Sequence, residues 1–255
     1  MATKFPSEVI DLPSKGYFYP QDNVLSSGRI EVKYMTAREE DILTSRNLIQ
    51  KGIVLDKLLQ SLIVTPINYD DLLIGDKNAL LYSARVLAYG KDYKVEISCP
   101  SCSQKSDQTV DLSLIEHKPI DFDKFERGRD EAEFELPYSK VKVTIKLLRN
   151  KDEKAMDENL KGMKKLSSQT GNEYEMTTRL KHIIVAVNGD TSKEVVNKFV
   201  TENLLSRDSL ALRNFLQTIT PDIQNEFNFS CTSCGLEKTI SIPLNTEFFW
   251  PGGSR

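Results

Sequence analysis

No stretch of this 255-residue chain reaches the roughly 18 to 20 consecutive apolar residues that a membrane-spanning helix requires, so no membrane role is expected. Met1 to Ile10 mixes charged and polar residues with apolar ones and lacks the continuous apolar core of a secretory signal. Positive charge is not in excess either. With 34 Lys and Arg against 37 Asp and Glu, the net charge is -3 and the pI about 5.6, which leaves little to neutralise a phosphate backbone and argues against nucleic acid as a partner. Only two histidines are present. His182 falls on the opposite side of its expected helix from Met176, Leu180 and Ile183, and His117 lies beside Lys118 and Pro119 with no nucleophile motif nearby. A phosphate-binding loop, a dinucleotide-type glycine fingerprint and an H-E-x-x-H metal motif are all missing. The acidic clusters Glu39-Glu40-Asp41 and Asp70-Asp71 read as charges complementing helix starts. These absences point to a non-enzymatic protein with no small-molecule substrate.

Cysteine is also scarce, but its four copies are paired: Cys99 with Cys102, and Cys231 with Cys234. Two thiolates held two residues apart in a tight turn can occupy one edge of a zinc tetrahedron at about 2.3 Å each, so the two turns supply all four thiolates for one structural Zn2+ ion. Strand-like alternation flanks both pairs, with Tyr93, Val95 and Ile97 before Cys99, Phe227 and Phe229 before Cys231, and Ile240 and Ile242 after Cys234. That is the layout of two zinc knuckles. Gly235 suits the position after the second cysteine, where positive φ turns backbone N–H groups toward sulfur; Ser103 at the matching place predicts a somewhat different turn. Two rival readings are a redox pair, which would place a cysteine at a helix N-terminus, and four unligated core cysteines. Between Cys102 and Cys231 lie 128 residues, so the ribbon is split by an insertion. Closing a loop of that length costs on the order of 4 to 5 kcal/mol, against roughly 10 to 16 kcal/mol from a structural zinc site.

The rest of the chain predicts an α+β fold: a helical N-terminal unit plus a zinc-ribbon-like pair of knuckle hairpins split by a long α+β insertion. Residues 1–30, rich in proline and glycine, read as an extended arm whose Tyr17, Phe18 and Tyr19 need cover. A helical unit follows at 31–90, opened by the capping box Thr36 to Glu39 and carrying a stripe of Leu55, Leu58, Leu59 and Leu62. Asp76 is expected to cap its last helix. The split ribbon takes 91–116 and 222–247, and the insertion 117–221. Within the insertion a hairpin at 131–149 precedes helices, one carrying Met176, Leu180, Ile183 and Val187 on one face and another capped by Thr191 with Glu194. A tail, 248–255, holds Phe248, Phe249 and Trp250, which suit either core closure or docking.

Several blocks together, Leu12-Pro13-Ser14-Lys15-Gly16, Tyr34 to Thr44, Asp71 to Asn78, and Ala84-Arg85 through Tyr89-Gly90 into the first knuckle, resemble the baseplate protein family of T-even-like contractile-tailed phages. The resemblance implies a subunit or assembly factor of the baseplate hub, working in the host cytoplasm during assembly or residing in the virion tail baseplate. Other phage baseplate or tail proteins would be its partners. Tyr17, Phe18, Tyr19, Phe248, Phe249 and Trp250 are the expected contact residues. The alternative is a nucleic-acid-binding zinc ribbon, which requires a basic, aromatic face at the knuckles.

Overall fold

The computed structural model describes residues 6–166, 175–243 and 248–249. Strand β1 (Ser7–Asp11) pairs antiparallel with β2 (Arg29–Lys33), so residues 7–33 fold back as a hairpin where an extended arm was expected. Helices α1 (Ala37–Thr44), α2 (Arg46–Lys51), α3 (Val54–Leu62) and α4 (Ile74–Tyr89) follow. The Thr36–Glu39 capping box is present, and Glu39 does more than cap. Fully buried, it accepts from Lys33 Nζ at 2.9 Å and Ser61 Oγ at 2.6 Å, tying β2, α1 and α3 together. Burial pushes its pKa up, but the bonds from Ser61, Thr36 and Lys33 prevail and hold it at about 2.

Helix α4 is buried along much of its length. Ala79, Leu80 and Ala84 are buried on it, and so are Asp76, Lys77 and Arg85. Asp76 is not a helix cap, because α4 starts at Ile74 with Leu73 in the cap position. Its carboxylate instead accepts from Ser14 N–H at 2.9 Å and Tyr19 O–H at 2.6 Å, which fastens the N-terminal segment to the helix. Close approach matters at Gly75, where a β-carbon would come within 1.8 Å of the Pro221 carbonyl oxygen.

After α4 the chain forms β3 (Asp92–Ser98) and β4 (Lys105–Asp111), a two-stranded ribbon with strict alternation of exposed and buried residues along β3. The insertion holds β5 (Glu131–Glu135) and β6 (Lys142–Lys146), then α5 (Asn150–Leu166) and α6 (Glu175–Ile183). The helix expected to carry Val187 stops at Ile183. Ile184–Val187 becomes β7 and completes a three-stranded sheet of order β5-β6-β7, as the β-branched residues Ile184, Val185 and Val187 favour on a half-buried pleated surface. Helix α7 (Lys193–Lys198) begins after Ser192, without the expected Thr191–Glu194 box; Asp190 accepts from Ser192 N–H instead. Helix α8 (Ser206–Ile219) returns the chain to the second ribbon, β8 (Glu226–Ser230) and β9 (Glu237–Ser241). The buried apolar residues form one continuous core across the N-terminal unit, ribbons and insertion. The result is a mixed α+β fold in which, among the described residues, no helix is long and apolar enough to cross a membrane.

Candidate metal centre

Each cysteine pair sits at the tip of its ribbon, and the two tips have the same construction. In the first, Ser103 N–H donates to the Cys99 carbonyl and Cys99 N–H to the Gln104 carbonyl, both at 2.9 Å; in the second, Gly235 donates to Cys231 and Cys231 to Leu236, again at 2.9 Å. Ser103 has φ of +59° and Gly235 of +70°. Serine therefore adopts the same left-handed turn as glycine, not the different turn its side chain suggested.

The turns bring the four sulfurs together although their pairs are distant in sequence. All four Sγ atoms lie within 4.8 Å of one another, with Cys99 to Cys234 and Cys102 to Cys231 at 3.7 Å. A tetrahedron with 2.3 Å metal–sulfur bonds has edges of about 3.8 Å, so the cluster is sized for a thiolate-bound ion. It is far too open for disulfides, whose sulfurs sit about 2 Å apart. Cys99 and Cys231 are buried while Cys102 and Cys234 are exposed, which gives the site a covered side and a solvent side. Backbone N–H groups stabilise thiolate on the covered side. Bonds from Cys234 and Ser233 lower the Cys231 pKa to about 6, and a bond from the Cys102 backbone, aided by one from Ser101, lowers that of Cys99. These donors carry no side-chain signature, and the sequence signals for them are the C-x-x-C spacing and the positive-φ position that follows it. Neither pair opens a helix, which removes the usual structural basis of a redox pair.

The ribbons that carry the cluster are joined at their bases as well as at their tips. Lys118 N–H donates to the Asp222 carbonyl and Gln224 N–H to that of Glu116, both at 2.8 Å, and His117 bridges to Ile223. Tyr93 O–H donates to the Pro243 carbonyl at 2.9 Å, holding the first ribbon to the strand exit of the second.

Four of the aromatic residues expected to meet partners, Phe18, Tyr19, Phe248 and Phe249, are covered by this chain itself. Phe18 and Tyr19 are almost wholly buried. Phe18 packs on Phe125 and Phe122 of the insertion with ring centroids 4.7 and 5.7 Å apart, and half-buried Tyr17 donates to the Phe125 carbonyl. Phe248 lies 5.0 Å from Tyr82 and 5.3 Å from Tyr93, and it is buried together with Phe249. Burying this apolar area in the chain's own core leaves little for a partner. Trp250 lies outside the described residues. Two basic side chains at the first ribbon are matched by acids, Lys105 with Glu96 at 2.7 Å and Lys91 with Asp111 at 2.6 Å.

A protein family described as T4 bacteriophage base plate protein matches residues 13–250, a span that contains α1 to α8, every strand from β2 to β9 and all four cysteines. No curated protein and no solved structure matches the chain significantly. Since the match runs through both halves of the split ribbon and the insertion between them, the chain belongs to the T4 bacteriophage base plate protein family.

Proposed function

We propose that this protein is a non-enzymatic component of the baseplate hub, acting as a subunit or as an assembly factor, and that its four-cysteine cluster holds one structural zinc ion. The observation that carries the reading is family membership over residues 13–250. The cluster supports it, because four thiolates fill the coordination sphere of zinc and leave no position for a reacting water. Its role is to join the two ribbons, and through them the N-terminal unit and the insertion. Zinc is preferred to other ions on ligand chemistry, since an all-thiolate tetrahedral site suits zinc or iron–sulfur chemistry and excludes the hard cations. Partners are other baseplate or tail proteins, met in the host cytoplasm during assembly. The acid–base pairing on the first ribbon and the net charge of -3 speak against nucleic acid.

Quantitative mass spectrometry of purified virions against infected-cell lysate tests the assignment. A fixed copy number in virions identifies a subunit; abundance in lysate with co-purifying baseplate proteins but none in virions identifies an assembly factor. A chain that neither enters virions nor co-purifies with any baseplate protein overturns the reading. Elemental analysis of the purified protein should find about one zinc per chain.

A further inference from the structure

A second feature lies where the insertion meets the N-terminal unit. A cavity of about 330 Å³ opens between the start of α4, the end of β6, α6 and α8. Its floor is apolar, with Leu148, Leu180 and Ile183 buried there, and Met176 stands half exposed at its edge. Its ionisable lining is predominantly cationic: Lys118, Lys146, Arg179 and Arg213 against the single carboxylate of Asp222. That carboxylate is already engaged, accepting from Asn78 Nδ2 at 3.1 Å and Ile223 N–H at 2.8 Å. Lys146 is matched by Asp152 at 2.6 Å, and Lys118 donates to the Gln217 carbonyl. Arg213 reaches the Ser209 carbonyl, at 3.3 Å. Among the described residues, neither Arg179 nor Arg213 has a carboxylate partner.

We infer that this cavity receives a segment of a partner protein in which apolar side chains are flanked by acidic ones, the apolar groups entering between Leu148 and Leu180 and the carboxylates meeting Arg179 and Arg213. Two arguments carry it. The floor has room for one or two aliphatic side chains, and its apolar area is recovered from water only by an apolar occupant. The rim sets guanidinium groups with no carboxylate partner among the described residues on a chain whose net charge is -3, and guanidinium is the donor that grips carboxylate bidentately. Charge complementarity thus selects an acidic segment over a basic or neutral one. The inference rests on the proposal that this protein works by binding other proteins.

The test uses the full chain labelled with 13C at methionine methyl groups, with Met176 assigned by Met176→Leu, and titrates N-acetyl-Glu-Leu-Leu-Glu-amide. A saturable shift of the Met176 methyl is expected, weakened by salt as surface electrostatics requires. The Gln-Leu-Leu-Gln version should bind roughly fivefold more weakly or worse, and Arg179→Ala with Arg213→Ala should weaken the acidic peptide similarly. No Met176 shift at millimolar peptide, or equal binding of the neutral peptide, overturns the inference. Virion mass spectrometry separates the two proposals: a chain found in virions that ignores the peptide loses the cavity assignment alone, and a peptide-binding chain with no baseplate association loses the hub assignment alone.

Discussion

Replacing Cys231 and Cys234 together by serine should melt the ribbon tips and leave the rest of the molecule folded. Measured along the sequence, the site closes a loop of 128 residues between Cys102 and Cys231, which suggests that its loss releases the whole insertion. The structure changes that expectation. Backbone bonds between Glu116 and Gln224 and between Lys118 and Asp222 already close the insertion at the ribbon bases. A bound ion would then close only the chain from Cys102 to Glu116 and from Gln224 to Cys231, about 21 residues, for which loop entropy is about 3 kcal/mol. Set against roughly 10 to 16 kcal/mol for a structural zinc, the site stabilises the tips by well over roughly 5 kcal/mol. An isolated two-stranded hairpin is marginal in water, so without metal the tips have little left to hold them. Hydrogen exchange reads this directly. The ladder amides of Ile97 and Phe229 should exchange at least roughly 10³-fold faster in the double variant or after chelation, as a loss of about 4 kcal/mol requires. The amide of Tyr93, whose side chain is held by Pro243 and Phe248 at the base, should change less, and that of buried Leu80 in α4 should not change. Metal-free protein whose Ile97 and Phe229 amides stay protected would refute the reasoning, as would loss of protection at Leu80 to the same degree.

Three further outcomes follow from single positions. Gly75→Ala should lower stability by about 3 kcal/mol or more, because its β-carbon would meet backbone at Pro221 and neither segment can swing aside; urea denaturation measures it, and an unchanged midpoint would show that α4 shifts freely. Burial raises the Asp76 pKa to about 6 despite the bonds from Tyr19 and Ser14, and a carboxyl raised in the fold stabilises most when protonated. Its contribution is full below the unfolded value of about 4 and is lost as pH rises through about 6, about 3 kcal/mol in all, so Asp76→Asn should remove that downward slope when denaturation is compared at about pH 4.5 and about pH 7.5. Ser103→Gly should relieve the cost of a left-handed serine and stabilise the metal-loaded protein by up to about 1 kcal/mol, while Gly235→Ala should destabilise it by a similar amount; thermal melts read both, and effects of the same sign would show that the two turns are not equivalent.

The features legible in the chain before folding are mostly local. The Thr36–Glu39 box, the leucine stripe of α3, the alternation along β3 and the two C-x-x-C turns each depend on residues a few positions apart, where helix and strand periodicities and ligand spacing are fixed by covalent geometry. The helix stop at Ile183 was legible only in part: Val187 continues the face of Leu180 and Ile183 at helical spacing, while the β-branched Ile184, Val185 and Val187 also suit a strand, and the free edge of β6 decided between the two. Asp76 likewise looked like a cap, and became a buried acceptor because Ser14 and Tyr19 arrive beside it from far along the chain. Phe18 and Phe248 carried no sign of which surface would cover them; the Phe122 to Phe125 segment and Tyr82 do so in three dimensions. The four cysteines could be paired into knuckles from spacing, but their meeting within 4.8 Å required the ribbon bases to be locked across the insertion. Sequence periodicity reports which face of an element is apolar, whereas the identity of the surface that covers it is set by packing between elements whose separation along the chain carries no such signal.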